Sequence, residues 1–299
     1  MKILLLGKNG QVGWELQRAL APLGELIALD RSGFGQYCGD LTDVKGLRDT
    51  LSSIQPDVIV NAAAYTAVDK AESEPELARR INTDAVKALA ESAAAVGSWL
   101  IHYSTDYVFN GEGVQPWLEN SLTQPLNVYG QTKLEGEEAI KASGCKHLIF
   151  RTSWVYAARG NNFAKTMLRL AKEREQLNVI NDQLGAPTSA ELIADVTAHA
   201  LKHAPNHPGT SGLYHLAAAG EVSWHGFAKF VIEQALNAGQ RLAVKEIGAI
   251  PTSAYPTPAR RPLNSRLDCR KLNKTFGLTM PDWQSGVARM LTETQGTEQ

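Results

Sequence analysis

The chain has 299 residues, 43% of them hydrophobic and 20% charged, with 30 Lys plus Arg against 31 Asp plus Glu and a formal net charge of −1. That mixture belongs to a globular protein with material for a large core; it excludes an intrinsically disordered chain and one drawn to nucleic acid by its whole surface. Cys38, Cys145 and Cys269 are scattered and form neither a disulfide framework nor zinc spacing, and no apolar run approaches the roughly 18 residues that span a bilayer. The expectation is a cytoplasmic protein with no membrane and no nucleic-acid partner.

The first apolar run, KILLLG (Lys2–Gly7), has strand length, and in the QVGWELQRALAPLG that follows, Val12, Leu16, Ala19, Leu20 and Leu23 recur at helical spacing. ELIALD (Glu25–Asp30), DVIVNAA (Asp57–Ala63), SWLIHYS (Ser98–Ser104) and KHLIFRTSW (Lys146–Trp154) are further strand candidates, separated by helical stretches. Continuous apolar strands alternating with helices predict a doubly wound α/β fold, its parallel sheet covered on both faces. LNVIND (Leu177–Asp182) is expected to add one more strand. Residues 1–153 read as a dinucleotide-binding domain to which the chain returns after about residue 177. Residues 154–299 read mainly as a smaller, loop-rich C-terminal substrate-binding lobe, with helices near Phe163–Glu175, Ala190–Lys202 and Ser223–Ala238.

Gly7, Gly10 and Gly13, with Gln11 and Val12 between them, stand where the first strand turns into the first helix. Glycines there allow a tight turn and close approach to a pyrophosphate, which a helix N-terminus attracts. Asp30 ends the second strand and could bind ribose hydroxyls; Arg31 beside it keeps a 2′-phosphate open, so NADH and NADPH are both expected. Asp40 and Leu41 in GDLTD are candidate adenine neighbours, and Ala63, Ala64 and Tyr65 in NAAAYT could lie against the cofactor.

In NVYGQTKLEG, Tyr129 and Lys133 lie one helical turn apart. A ketone that accepts hydride needs a proton donor beside its oxygen, and a free phenol, with a pKa of roughly 10, is a reluctant one. A lysine one turn away favours the phenolate and can hold the nicotinamide ribose. Thr105, at the end of the preceding strand, would offer the carbonyl a second hydroxyl.

The glycine motif, NAAA, STDYVF, the YxxxK of Tyr129–Lys133 and RTSWVY occur in the order seen in extended short-chain dehydrogenases/reductases that modify nucleotide sugars. The chain resembles that family from Met1 to about Asn162, with a further echo in YPTPARRPLNSRLD. The resemblance implies a Rossmann-type sheet, NADPH or NADH as cofactor, and Tyr129, Lys133 and Thr105 as the catalytic set. Dehydratases of the family carry Asp-Glu where this chain has Asp106-Tyr107. Tyrosine cannot replace that glutamate, so the resemblance implies reduction, at C4 of a dTDP-linked 6-deoxysugar.

A reductase or epimerase for another nucleotide sugar and a non-catalytic nucleotide-binding regulatory subunit are the alternatives; a regulator has no need of Lys133. Thr105, Asp106, Trp154, Asn162 and Arg260 are the expected substrate contacts, although Trp154 could equally fill a core and Arg260 and Arg261 could form surface ion pairs. Several reductases resembling this chain form a Mg²⁺-linked homodimer through glutamates. Glu15, Glu191 and Glu293 are the matching candidates, each otherwise an ordinary helix-surface carboxylate. His215 and His225 show no ligand spacing.

Overall fold

Strand β1 (Lys2–Leu6) sends Ile3 and Leu5 into one core and Leu4 and Leu6 into another, all four at most 1% exposed. An unbroken apolar run demands burial on both sides, and helices on both faces of a parallel sheet provide it. Each such side chain, fully buried, contributes about 1.5–3 kcal/mol. The computed structural model describes residues 1–296. Next in order come α1 (Gln11–Leu20), β2 (Glu25–Leu29), α2 (Val44–Ile54), β3 (Val58–Asn61), α3 (Ala85–Val96), β4 (Trp99–Thr105), α4 (Val128–Ser143) and β5 (Lys146–Thr152). The second half holds α5 (Phe163–Glu173), β6 (Gln176–Ile180), α6 (Ala190–His203), β7 (Gly212–His215), α7 (Trp224–Asn237), β8 (Glu246–Ile250) and α8 (Trp283–Gly296), with shorter pieces between.

The main sheet has six strands in the order β7-β5-β4-β3-β1-β2, all neighbours parallel. This is the doubly wound sheet expected from the sequence, with two corrections. LNVIND does form a strand, β6, but it pairs with β8 in a separate two-stranded ribbon, Gln176 beside Glu246 and Ile180 beside Ile250. Its alternation explains why. Leu177 and Val179 are buried against α5 and α7, while Gln176 and Asn178 face out, the pattern of a strand with one covered face.

The sixth strand of the main sheet is instead β7, the four residues GLYH, too short a run to stand out by periodicity. The chain returns to this sheet's core at α6. Ile193, Ala194, Ala200 and Leu201 of α6 share a core with Leu16 and Leu20 of α1. The C-terminal lobe has its own cores, one built on Tyr156, Phe227, Trp283, Val287 and Met290 and the other on Met167, Leu177 and Ile232. Among the described residues no helix is long and apolar enough to cross a membrane.

Candidate active site

Strand order reverses between β1 and β3, and in such sheets ligands bind outside the carboxyl ends of the strands at that switch point. A cleft of about 1020 Å³ opens there. Its walls include Gly7, Gly10, Gln11, Val12, Asp30, Arg31, Asp40, Leu41, Ala63, Ala64 and Tyr65 at one end. Thr105, Asp106, Tyr107, Tyr129, Lys133, Trp154 and Trp224 line the other.

At the glycine loop, the N–H groups of Gly7 and Lys8 both donate to the carbonyl of Leu29, at 2.9 and 3.1 Å, and Gly10 N–H donates to Gly7 O at 3.0 Å. Gly10 then caps α1 without a side chain, so the first helical N–H groups point into the cleft as an anion site. Gly13 lies behind this loop and does not line the cleft. A Cβ on Gly13 would collide with the backbone carbonyl of Gly7, which itself has φ +87°. Gly13→Ala is therefore expected to displace the loop and weaken NAD(P)H binding at least tenfold, roughly 1.4 kcal/mol, as read by fluorescence titration of the reduced cofactor.

Asp30 accepts from Asn9 Nδ2 at 2.7 Å and from Ser32 N–H at 2.9 Å, with Lys8 Nζ 3.6 Å away. Arg31 is largely exposed and reaches Asp40 at 3.2 Å. Two carboxylates and two cations thus meet at this end of the cleft. Tyr65 is fixed through its backbone: Asn82 Oδ1 accepts from its N–H at 2.9 Å and Asn82 Nδ2 donates to its carbonyl at 3.1 Å. Asn82 sits in a π turn (Arg80–Asp84) that leads into α3, and such turns concentrate at functional sites.

At the far end, Asn127 caps α4 by accepting from Gly130 N–H at 2.8 Å, and its Nδ2 donates to Arg260 O at 2.8 Å. This cap sets where Tyr129 enters the cleft. A side chain on Gly130 would strike the carbonyl of Tyr107, so α4 lies close against that segment. The Thr105 hydroxyl lies beside the Tyr129 phenol, near enough to favour its ionised form. That hydroxyl in turn donates to Asp106 Oδ1 at 3.1 Å and accepts from Tyr107 N–H at 3.1 Å. Burial pushes Tyr129 well above the ordinary phenol value; the Thr105 hydroxyl opposes this and the charge on Asp106 adds to it. Burial also lifts Asp106 to about 7, opposed by nearby Ser265 and by the Thr105 hydrogen bond to Oδ1, while Oδ2 has no hydrogen-bond partner.

Lys133 does not meet the phenol. Its Nζ turns into the sheet, donating to Tyr103 O at 2.6 Å and lying 3.1 Å from His102 Nε2, and burial lowers it to about 8. The expectation that this ammonium lowers the Tyr129 value is thus corrected for the structure as it stands: the lysine spends its hydrogen bonds on the strand below.

A match to the RmlD substrate binding domain family covers residues 1–295. The dTDP-4-dehydrorhamnose reductase of Shigella flexneri is 63% identical over 293 residues, 98% of each chain. Among solved structures, the dTDP-4-dehydrorhamnose reductase of Clostridium acetobutylicum superposes with a TM-score of 0.88 at 36% identity, covering 99% of this chain and 100% of that one. The enzyme of the same name from Bacillus anthracis, in complex with NADP, gives 0.87 at 34% identity over 98% and 100%.

The chain belongs to the RmlD family.

Within this RmlD-family site, other expected substrate residues divide. Trp154 lines the cleft with φ +48°, a costly conformation for a bulky residue, and its indole stacks on Trp224 at 3.5 Å and 12°. The sequence reading did not single out Trp224. Asn162 does not line the cleft. It caps α5 by accepting from Lys165 N–H at 3.1 Å and donates to Ala157 O at 2.7 Å, so its amide is already used, and its neighbour Asn161 faces the cleft instead.

Arg260 is exposed; the hydrogen bond that ties its residue to the site, from Asn127, is to its backbone carbonyl. Arg261 is the better placed of the two. It is bound to Asp69 at 2.7 Å and 3.5 Å from the Tyr107 hydroxyl. The Tyr107 ring meets Tyr129 edge-on at 5.8 Å.

Glu15, Glu191 and Glu293 lie on α1, α6 and α8 and share one surface. Burial raises the Glu191 carboxyl, and the charges of Glu293 and Glu15 raise it further. Arg18 stands 3.6 Å from Glu15, and Arg289 bridges Glu191 at 3.4 Å and Glu293 at 3.2 Å. Among the described residues no three acidic, histidine or cysteine side chains converge to hold a metal ion.

Proposed function

We propose that this protein reduces the C4 ketone of dTDP-4-dehydro-6-deoxy-L-mannose (dTDP-4-dehydrorhamnose) to give dTDP-L-rhamnose, with NADPH or NADH, in the cytoplasm and for bacterial surface polysaccharide. The observation that carries the reading is the pair of neighbouring hydroxyls, Thr105 and Tyr129, that line one end of the cleft. A ketone oxygen held against both hydroxyls finds an acid and a second donor where negative charge develops. When bound in the cleft, a reduced nicotinamide would supply the hydride. Tyr129 then gives its phenolic proton to the oxygen, and Thr105 keeps a hydrogen bond on it throughout. Tyr107 offers no carboxylate to remove a second proton, which disfavours elimination.

Lys133 and Tyr129 would flank the nicotinamide ribose, the glycine loop would hold the pyrophosphate, and Asp30, Arg31, Asp40 and Leu41 the adenosine end. The stacked Trp154 and Trp224 give a flat apolar wall against which the deoxysugar or its base would rest. Asp106 lines the same end, and Arg261, beside Tyr107, replaces Arg260 as the better candidate for the diphosphate.

Mixing the protein with NADPH and dTDP-4-dehydro-6-deoxy-L-mannose should consume the nicotinamide absorbance and yield dTDP-L-rhamnose. No turnover with this sugar, but turnover with another 4-keto nucleotide sugar, would reassign the substrate within the same chemistry.

A homodimer completes the proposal. A second copy meeting this one at the surface of Glu15, Glu191 and Glu293 would bring carboxylates from both chains to one Mg²⁺, which binds through a few carboxylates and keeps several waters. EDTA is then expected to lower the sedimentation coefficient from dimer to monomer, with Mg²⁺ restoring it; an unchanged profile removes the metal link.

A further inference from the structure

Beneath the catalytic pair, three fully buried polar side chains run in a row from α4 through β4 to β3. Lys133 is 2% exposed, His102 1% and Asn61 1%. Lys133 Nζ stands 3.1 Å from His102 Nε2, and the other ring nitrogen, Nδ1, stands 3.2 Å from Asn61 Nδ2. Asn61 and His102 are register partners in the sheet. We propose that His102 and Asn61 are positioning residues that set the charge state of Lys133, with Asn61 forcing the histidine proton onto Nε2, where it faces the lysine nitrogen. The proposal rests on the reductase reading only for why Lys133 matters.

The Asn61 Oδ1 accepts from the backbone N–H of Ala63 at 3.2 Å. Turning the amide over would set its NH₂ against that N–H, two donors face to face, so the NH₂ must face His102. Nδ1 therefore accepts and carries no proton. A neutral imidazole with a bare Nδ1 holds its hydrogen on Nε2. That hydrogen points at Lys133 Nζ, and an ammonium has no lone pair to receive it. An amine has one.

The ring stays neutral because burial, and then the charge on Lys133, hold His102 well below its ordinary value. Burial acts on the lysine in the same sense, while Glu137, one turn further along α4, favours the ammonium. Glu137 is itself held by Arg151 of β5 at 2.8 and 2.6 Å. Tyr103 O accepts from the lysine nitrogen in either charge state. Tyr129 is the titratable group one turn before it on the same helix, and burial keeps its phenol protonated. The row thus lets Lys133 become an amine above about pH 8 without stranding a buried polar atom. A leucine at position 102 would offer no such partner.

The experiment reads the tautomer directly, by long-range ¹H–¹⁵N spectra of the labelled protein without substrate, the His102 signals assigned by their loss in His102→Gln. At about pH 9, above the value of Lys133, the wild-type ring should show a bare Nδ1 and a protonated Nε2. Nδ1 protonated in the wild type at that pH overturns the proposal, whatever the variants do. Asn61→Asp should reverse the tautomer, because a carboxylate accepts from Nδ1–H, and should raise the alkaline limb of kcat/KM by about one pH unit. Asn61→Leu removes the amide donor without adding charge and should raise the same limb by less. A limb that moves in neither variant also overturns the proposal, since a merely structural asparagine would change stability but not this ionisation. The spectrum is taken on the free enzyme, so a failed reductase assay leaves the result interpretable.

Discussion

Tyr129→Phe is expected to lower turnover roughly 10²–10⁴-fold, the usual worth of a positioned acid, while cofactor affinity stays near that of the wild type. The phenol lies beside the Thr105 hydroxyl, and burial holds it protonated across the neutral range. Removing one oxygen leaves the ring, its edge contact with Tyr107 and the α4 cap in place. The loss should fall equally on kcat and kcat/KM, because the proton moves only in the transition state. Steady-state kinetics and reduced-cofactor titration separate the two effects; near-normal turnover would sink the assignment.

The pH profile carries a second signature. Lys133, lowered to about 8 by burial, loses its charge as pH rises through that value, so activity should fall there and not at the far higher value of the phenol.

Much of this site is legible in the chain because its signals are local. A glycine loop between a strand and a helix, an acid at the end of the next strand, and a tyrosine and lysine one turn apart each occupy a few consecutive residues. The residues that support them are not local. His102 and Asn61 stand in strands whose apolar runs read as plain core, SWLIHYS and DVIVNAA, and only the polar letter inside or at the end of each run hints otherwise. Their meaning comes from register, which places Asn61 opposite His102, and no single stretch contains it.

Asn82 and Trp224 are invisible for the same reason: one acts on Tyr65 from 17 residues away, the other stacks on Trp154 across the lobe. Asn162 shows the converse error. An asparagine before a helix is first of all a cap, and here the amide is consumed by that duty. In the sheet, the strand at LNVIND was legible as a strand, but its partner was not. Alternating polar residues signal one covered face without saying which strand lies beside it.

The largest effect on stability is expected from Glu137→Gln, a change remote from the cleft in contact but not in consequence. Glu137 is 0% exposed and Arg151 1%, and the two meet through paired hydrogen bonds of 2.8 and 2.6 Å that tie α4 to β5. The guanidinium also lies over the Phe109 ring, 5.0 Å from its centroid. Taking away one partner leaves a buried cation without its counter-charge, which typically costs about 3–5 kcal/mol. Urea unfolding should show a lower midpoint with an unchanged slope.

Replacing both residues by leucine should recover much of the loss, because no charge is then stranded. The same carboxylate favours the ammonium of Lys133. Glu137→Gln should therefore also shift the alkaline limb of the pH profile downward, opposite to Asn61→Asp. A variant that loses stability but keeps the limb in place would show that the ion pair holds the helix without influencing the lysine.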